Sequence, residues 1–452
     1  MNIMIVGCGK VGQNLIERLT SDNDLNITAV DTNPLVIRDI ANHYDIMCVT
    51  GSGTSVDTLT QAGVENTDIL IAVTESDEIN LLTCLIAKKL GGCKTIARVR
   101  KPEYGRELLF FKEDLGLAMI INPELTAANV IARALRFPSA IQIDTFAKGR
   151  IEILKFRIPE SSPLDGLKIK DLTSKIKCDI LVCGVEREDS VHIPSGSFEL
   201  KADDVISIVA SMENCSNFFK QIGIKTNKVK DTIIVGGGNT GYYLAELLLK
   251  TGIEVKILEK DPARCSELCE LLPKATIING DGTDCRLLEE EGLERSESLV
   301  ALTGIDEENI LLSLYAKTKI NGKVVTKINR IAYDEVISNL YLDTTINPKD
   351  TAAEYVVRFI RACKNSEGSS VETLHYILDG KAEALEFRIG DHSPVAKTPI
   401  EQLKIKAGIL IACINRNGRI FIPRGRDVIT KGDSVIIVTT HTGFQDISDI
   451  LE

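Results

Sequence analysis

The chain alternates between two hydrophobic rhythms. Short apolar runs, Ile3–Val6, Ile27–Val30, Ile46–Val49, Ile69–Val73, Thr95–Val99 and Ala118–Ile121, are separated by longer stretches. In those stretches apolar residues return every three or four positions, as Val11, Leu15, Ile16 and Leu19 do. Unbroken runs suit strands covered on both faces, and the longer period suits helices with one buried stripe. Six strands alternating with helices predict a parallel, doubly wound, Rossmann-like sheet. From about Ile151 to Met212 the rhythm shortens: ILKFRI, a turn at Pro163–Gly166, a helical KIKDL, then DILVCGV, VHIPSG and DVISIVA. Turns this close together predict a small α+β module with antiparallel strands.

The whole pattern is written twice. Gly236, Gly238 and Gly241 stand 229 residues after Gly7, Gly9 and Gly12. The same spacing relates TGSGT (Thr50–Thr54) to NGDGT (Asn279–Thr283), AVT (Ala72–Thr74) to ALT (Ala301–Thr303), and Asn80 to Asn309. It returns at HIPSG (Pro194, Gly196) and FIPRG (Pro423, Gly425). Repetition over this length marks a duplicated two-part unit. The expected pieces are a lobe over 1–140, a module over 141–226, a second lobe over 231–366 and a second module over 371–452. Asn227 to Lys230, polar and basic, is the expected connection between copies.

Composition narrows the function. A chain of 452 residues with net charge −11 lacks the basic footprint that nucleic acid requires. No apolar run approaches the roughly 20 residues of a membrane span. The start enters a strand at once, with no basic segment and apolar signal region before it. Twelve cysteines are scattered, several in apolar stretches (Cys48, Cys84, Cys183, Cys413). Even the pairs Cys178/Cys183 and Cys265/Cys269 miss the CxxC spacing of zinc and redox sites. Free thiols acting as small core residues in a reducing cytoplasm are expected.

The candidate chemistry sits at strand ends. VGCGKVG places Gly7, Gly9 and Gly12 in GxGxxG spacing between a strand and an amphipathic helix, with Cys8, Lys10 and Val11 completing the loop. Such glycines serve a tight turn, close approach of backbone N–H groups to a pyrophosphate, and helix–strand packing. The second copy offers Gly236, Gly237, Gly238, Asn239, Thr240 and Gly241. Asp31 ends the second strand, where a carboxylate can accept both ribose hydroxyls and repel a 2′-phosphate, favouring NAD(H) over NADP(H). The competing reading is a turn aspartate before Asn33-Pro34. Glu259 is its counterpart. Gly51 and Ser52 after the third strand, Thr74 and Glu75 after the fourth, and Arg98 ending the fifth share the rim where such sheets bind ligands. Arg98 can reach phosphates or pair with Glu75. In the second copy Thr303-Gly304 and Lys327 stand at these last places.

The repeated VGCGKVG, VD, TGSGT, AVTESDEIN and IARVR, followed by a small module carrying IPSG, resembles the RCK (KTN) family over essentially the whole chain. The resemblance implies a ligand-sensing regulator of potassium channels and transporters. It carries nucleotide roles to Gly7 through Val11, Asp31, Thr74, Glu75 and Arg98, and to Gly236 through Thr240 and Glu259. It implies NAD(H) as ligand, with ATP and ADP as further candidates. It also implies an integral-membrane potassium-transport subunit as partner, a homo-oligomeric ring, most simply a tetramer, and a place on the cytoplasmic face of the plasma membrane. The helical stretch Ile121–Ser139, with Leu125, Val130, Ile131, Leu135 and Phe137, reads as a packed crossover helix or as one that crosses to a neighbouring lobe, as in RCK proteins.

An NAD-dependent oxidoreductase is the alternative. It needs a proton donor facing the nicotinamide and a substrate domain. His43, His192, His375, His392 and His441 stand in no triad or metal spacing, and the modules are small. A non-catalytic sensor is the expected reading, and a nucleotide-binding scaffold unrelated to ion transport is a third.

Overall fold

The computed structural model describes residues 1–20, 24–102, 104, 115–136, 142–146, 151–176, 178–188, 190–223, 229–329, 340, 342–366, 371–377, 382–390, 393–441, 443–444 and 446–452. Phe137, Ser139, Asn227, Lys228 and His392 lie outside them.

The first lobe runs β1 (Asn2–Val6), α1 (Lys10–Thr20), β2 (Asn26–Asp31), α2 (Pro34–His43), β3 (Met47–Thr50), α3 (Val56–Gln61), β4 (Ile69–Ala72), α4 (Asp77–Gly91), β5 (Lys94–Arg98), β6 (Leu117–Ile121) and α5 (Pro123–Arg136). Its six strands are parallel in the order β3-β2-β1-β4-β5-β6. The order reverses between β2 and β4, on either side of β1, which places the glycine loop at the crevice where such sheets take ligands. Met4, Val6, Val30, Leu70, Ala72 and Ala97 bury one sheet face under Leu59, Cys84 and Ala87.

The first module holds β7 (Gln142–Phe146), β8 (Ile151–Arg157), α6 (Ile169–Lys175), β9 (Leu181–Arg187), β10 (Ser190–His192), β11 (Val205–Ser211) and α7 (Met212–Gln221). Its antiparallel sheet is ordered β10-β9-β11-β8-β7. Phe156, Phe218 and Phe219 meet edge-on at its centre, with centroids 5.0 to 5.8 Å apart.

The second lobe repeats the first with β12 (Asp231–Val235), α8 (Asn239–Lys250), β13 (Glu254–Glu259), α9 (Pro262–Leu271), β14 (Thr276–Asn279), α10 (Cys285–Glu290), β15 (Ser298–Ala301), α11 (Asp306–Lys319), β16 (Lys323–Lys327), β17 (Thr344–Ile346) and α12 (Pro348–Ser366). The second module has β18 (Val371–Ile377), β19 (Ala382–Arg388), β20 (Ile409–Arg416), β21 (Arg419–Phe421) and β22 (Ser434–Thr439). The spacing between copies is not constant throughout. Pro123 and Pro348, which open α5 and α12, are 225 apart, because the first copy has a longer connection before its sixth strand. Phe156 and Phe387, in matching register on β8 and β19, are 231 apart.

A duplicated chain offers two equivalent lobes and two equivalent modules that can pair, and the fold gathers like with like. One compact unit holds both Rossmann-like lobes (1–132 and 229–357), and the other holds both modules (133–228 and 358–452). The physical reason in the second unit is an uncovered sheet face on each module. Ile153, Cys183 and Val209 of one pack into a common cluster with Ala384, Cys413, Ile436 and Val438 of the other. The division falls inside α5 and inside α12. On α5, Ala127, Ala128, Ile131, Ala134 and Leu135 are buried.

The twelve cysteines are free; nine are buried, Cys48 is half-buried, and Cys269 and Cys285 are exposed. Among the described residues, no helix is long and apolar enough to cross a membrane.

Candidate functional site

Each glycine of the first loop answers a different constraint. Gly7 has φ +94°, a region L-residues rarely adopt, and a Cβ there would lie 2.7 Å from Thr74 N. Gly12 lies so close to the strand that a Cβ would stand 2.1 Å from the Gly7 carbonyl oxygen. Gly9 is different: a Cβ there would meet no protein atom within 4 Å. The second copy is the same: Gly236 has φ +109°, a Cβ on Gly241 would stand 2.3 Å from the Gly236 oxygen, and one on Gly238 would meet nothing within 4 Å. The fold therefore requires the outer glycines and not the middle ones. An open cradle at the start of a helix is what close approach of a phosphate to backbone N–H groups needs.

Asp31 is engaged with its own chain. Its Oδ2 accepts the Cys8 N–H at 2.7 Å and its Oδ1 the Asn33 N–H at 2.8 Å. Glu259 repeats this, accepting Gly237 N–H at 2.7 Å and Asp261 N–H at 2.9 Å. The turn role expected of Asp31 is thus present. Each carboxylate oxygen keeps a second acceptor site, so a ribose hydroxyl can still be bound. Cys8, buried beside Asp31, has its thiol pushed up to about 12 by burial and then by the Asp31 charge, and remains a neutral packing group.

The rim is built by a residue that the sequence marks only through its repetition. Asn80, fully buried at the start of α4, accepts from Thr74 N–H at 2.8 Å and Thr74 Oγ1 at 2.7 Å. Its amide donates to the Thr74 carbonyl at 3.2 Å and the Arg98 carbonyl at 2.9 Å. Asn309 makes the matching bonds to the backbone of Thr303 and Lys327, while Thr303 Oγ1 donates instead to the Ile305 carbonyl. These side chains hold the ends of adjacent strands in register at the carboxyl edge of each sheet. Glu75 is exposed; its carbonyl accepts from Arg100, whose own N–H reaches the buried Asp77 at 2.9 Å. Gly51 packs against Thr58, and Ser52 caps its own turn through Thr54 at 2.9 Å.

The lobes differ where the sequence departs. Lys327 donates to the Leu302 carbonyl at 3.0 Å, and burial holds its pKa below the ordinary lysine value. Arg264 on α9 donates to the Gly237 carbonyl at 2.8 Å and pins the second glycine loop. Its counterpart Leu35 is exposed and makes no such bond.

The two lobes meet through polar contacts. Asn14 and Arg18 on α1 reach Asp350 on α12, the arginine at 3.2 Å. In the opposite sense, Tyr243 on α8 donates to the Arg100 carbonyl at 2.9 Å and accepts from Asn122 at 3.0 Å. Beside this contact lies a pocket of about 240 Å³. Its second-lobe wall includes the glycine loop Gly238–Gly241, Lys327 and Lys349, and its first-lobe wall is Arg98, Pro123 and Glu124. Arg98 thus lies with the second lobe's loop and makes no ion pair with Glu75 among the described residues.

The histidines form no catalytic constellation among the described residues. His43 has an acidic neighbour, with Nδ1 3.5 Å from Asp39 Oδ1 on α2, but both side chains are exposed. His441 contacts the Ala407 carbonyl at 2.8 Å, and His192 contacts Ser190 at 2.9 Å.

Comparison with known proteins agrees with this architecture. The TrkA-N domain model matches residues 3–123 and 232–348, and the TrkA-C domain model matches 153–223 and 384–452. Trk system potassium uptake protein TrkA homolog 1 of Methanosarcina mazei is 31% identical over 455 residues, covering 99% of both chains. TrkA of Halomonas elongata is 32% identical over 443 residues, covering 97% of this chain and 95% of its own. Among solved structures, the GsuK channel bound to NAD superposes with a TM-score of 0.63 at 18% identity, over 97% of this chain and 76% of that one. The GsuK RCK domain gives 0.62 at 18% identity, over 98% and 93%. With both halves of a tandem lobe-and-module pattern matched along its whole length, the chain belongs to the TrkA family of Trk system potassium uptake proteins.

Proposed function

We propose that the chain is a non-catalytic regulatory subunit that senses NAD(H) on its glycine loops and controls a Trk-type integral-membrane potassium-transport subunit. The observation that carries the nucleotide reading is the pair of middle glycines, Gly9 and Gly238, where a Cβ would meet no protein atom within 4 Å and which the fold does not itself require. On this reading Gly7 through Gly12 cradle the phosphates, Asp31 accepts the ribose hydroxyls, and Thr74, Glu75, Gly51 and Ser52 form the rim. Gly236 through Gly241, Glu259 and Thr303 do the same in the second lobe, with ATP and ADP as competing ligands. The GsuK channel named above is NAD-bound, and the curated relatives are named for potassium uptake. The regulator acts as a homo-oligomeric ring, most simply a tetramer, docked on its partner at the cytoplasmic face of the plasma membrane. A net charge of −11 disfavours direct contact with anionic lipid, so docking is protein to protein. Nucleotide acts by binding one arrangement of the paired lobes better than another.

Calorimetry on the full chain tests the site. NADH should bind more tightly than NADPH, because Asp31 and Glu259 repel a 2′-phosphate. Asp31→Ala should cost about 1–3 kcal/mol of NADH binding at the first lobe. No NADH binding by the wild-type chain, or equal affinity for NADPH, would overturn the assignment. NADH oxidation with a panel of carbonyl substrates would favour the oxidoreductase reading instead.

A further inference from the structure

Arg98 stands, by chain order, at the rim of the first lobe, yet it faces a pocket whose floor is the second lobe's glycine loop. The charges there are unbalanced. Arg98, Lys327 and Lys349 line the pocket against a single carboxylate, Glu124. Lys327 is engaged with the Leu302 carbonyl. Arg98 Nε and Glu124 Oε2 are buried with no hydrogen-bond partner among the described residues. Burial lowers the pKa of Lys349, and the charge of Lys10 from the first loop lowers it further; burial and then Arg100 do the same for Arg98. Cations crowded in a half-buried space, with donors left over, are stabilised by an anion.

The floor supplies further donors. Gly238 caps α8 without a side-chain bond, so the backbone N–H groups of the first turn face the pocket along the helix dipole. About 240 Å³ is small for a whole dinucleotide and sufficient for a phosphate or pyrophosphate. Glu124 and Lys349 occupy equivalent places in the two copies with opposite charge, so the pocket is not symmetric.

We propose that this pocket is a composite anion site: the phosphates of a nucleotide on the second glycine loop are also held by Arg98 of the first lobe, with Lys349. This rests on the nucleotide reading above and adds to it. A ligand of the second lobe then braces the two lobes directly, and its affinity depends on how they are packed. Tyr243, on the helix that starts at this loop, bonds the Arg100 carbonyl two residues beyond Arg98, so the loop and the arginine are carried by one contact. Coupling of this kind is reciprocal.

The test uses the full chain and silences one loop at a time. In a Gly9→Val background, where NADH can bind only the second lobe, Arg98→Gln should weaken NADH binding by about tenfold or more, the loss of one charge-assisted hydrogen bond. In a Gly238→Val background the same substitution should change affinity by less than about twofold. The reverse pattern would overturn the proposal, since Arg98 would then serve its own lobe. Inorganic pyrophosphate provides a reading that does not depend on NADH. Its binding to the wild-type chain should fall with salt and should weaken in both Arg98→Gln and Lys349→Gln. Pyrophosphate affinity unaffected by either variant would overturn the composite site even if NADH binds. Failure of NADH to bind the wild-type chain would instead overturn the nucleotide reading and leave the pyrophosphate result to decide the pocket. Melting temperatures of the Arg98→Gln chains should match their backgrounds without ligand, because Arg98 Nε has no partner to lose among the described residues.

Discussion

Gly9→Val and Gly238→Val should each leave the chain folded and remove nucleotide binding from one lobe. Neither position has a positive φ, and a Cβ at either meets no atom within 4 Å, so the protein itself tolerates a side chain there. A valine would instead occupy the space through which phosphate oxygens reach the backbone N–H groups of α1 or α8. Losing two such charge-assisted bonds, at about 1.5–3 kcal/mol each, raises the Kd by roughly 10² to 10⁴-fold. Circular dichroism and thermal melting should be unchanged, while calorimetry loses one NADH site per variant. A variant that still binds two NADH with wild-type affinity would show that the cradle is not where the phosphates sit.

The outer glycine of each loop should behave in the opposite way. In Gly12→Ala the new methyl would stand 2.1 Å from the Gly7 carbonyl oxygen, and in Gly241→Ala 2.3 Å from that of Gly236. Neither backbone oxygen can yield without moving the strand-to-helix turn, which also carries the Asp31 and Glu259 bonds. Overpacking of this severity costs about 3 kcal/mol. Both variants should melt well below the wild type, and nucleotide should recover part of the loss by mass action. Wild-type stability in the Gly12→Ala chain would mean that helix and strand are not packed as described.

Much of this was legible in the sequence because the controlling forces are local and periodic. Strands such as Ile69–Ala72, buried on every residue, have to be unbroken apolar runs, and helices over a parallel sheet have to show a stripe. The glycine loops were legible because steric exclusion and positive φ leave few alternatives to glycine. The double use of Asp31 was legible only as a choice, since a residue before a turn and a residue before a ribose carry the same signature. Asn80 and Asn309 give no periodic signal, and repetition was the one clue to them. The pocket was not legible. Its walls depend on the packing of one lobe against the other, set by isolated polar contacts such as Arg18 to Asp350 and Tyr243 to Asn122. The pairing of the modules follows from sheet faces that each covers for the other, through residues such as Cys183 and Cys413.

The central claim is that nucleotide on these loops governs potassium movement through another protein. The most direct measurement is potassium flux in liposomes carrying the Trk-type membrane subunit, with and without the full chain and NADH. The account predicts that flux depends on the chain and changes when NADH is added. It further predicts that a chain carrying both Gly9→Val and Gly238→Val still docks but no longer responds to NADH. Flux that is the same with and without the chain, or an NADH response that survives both substitutions, would contradict it.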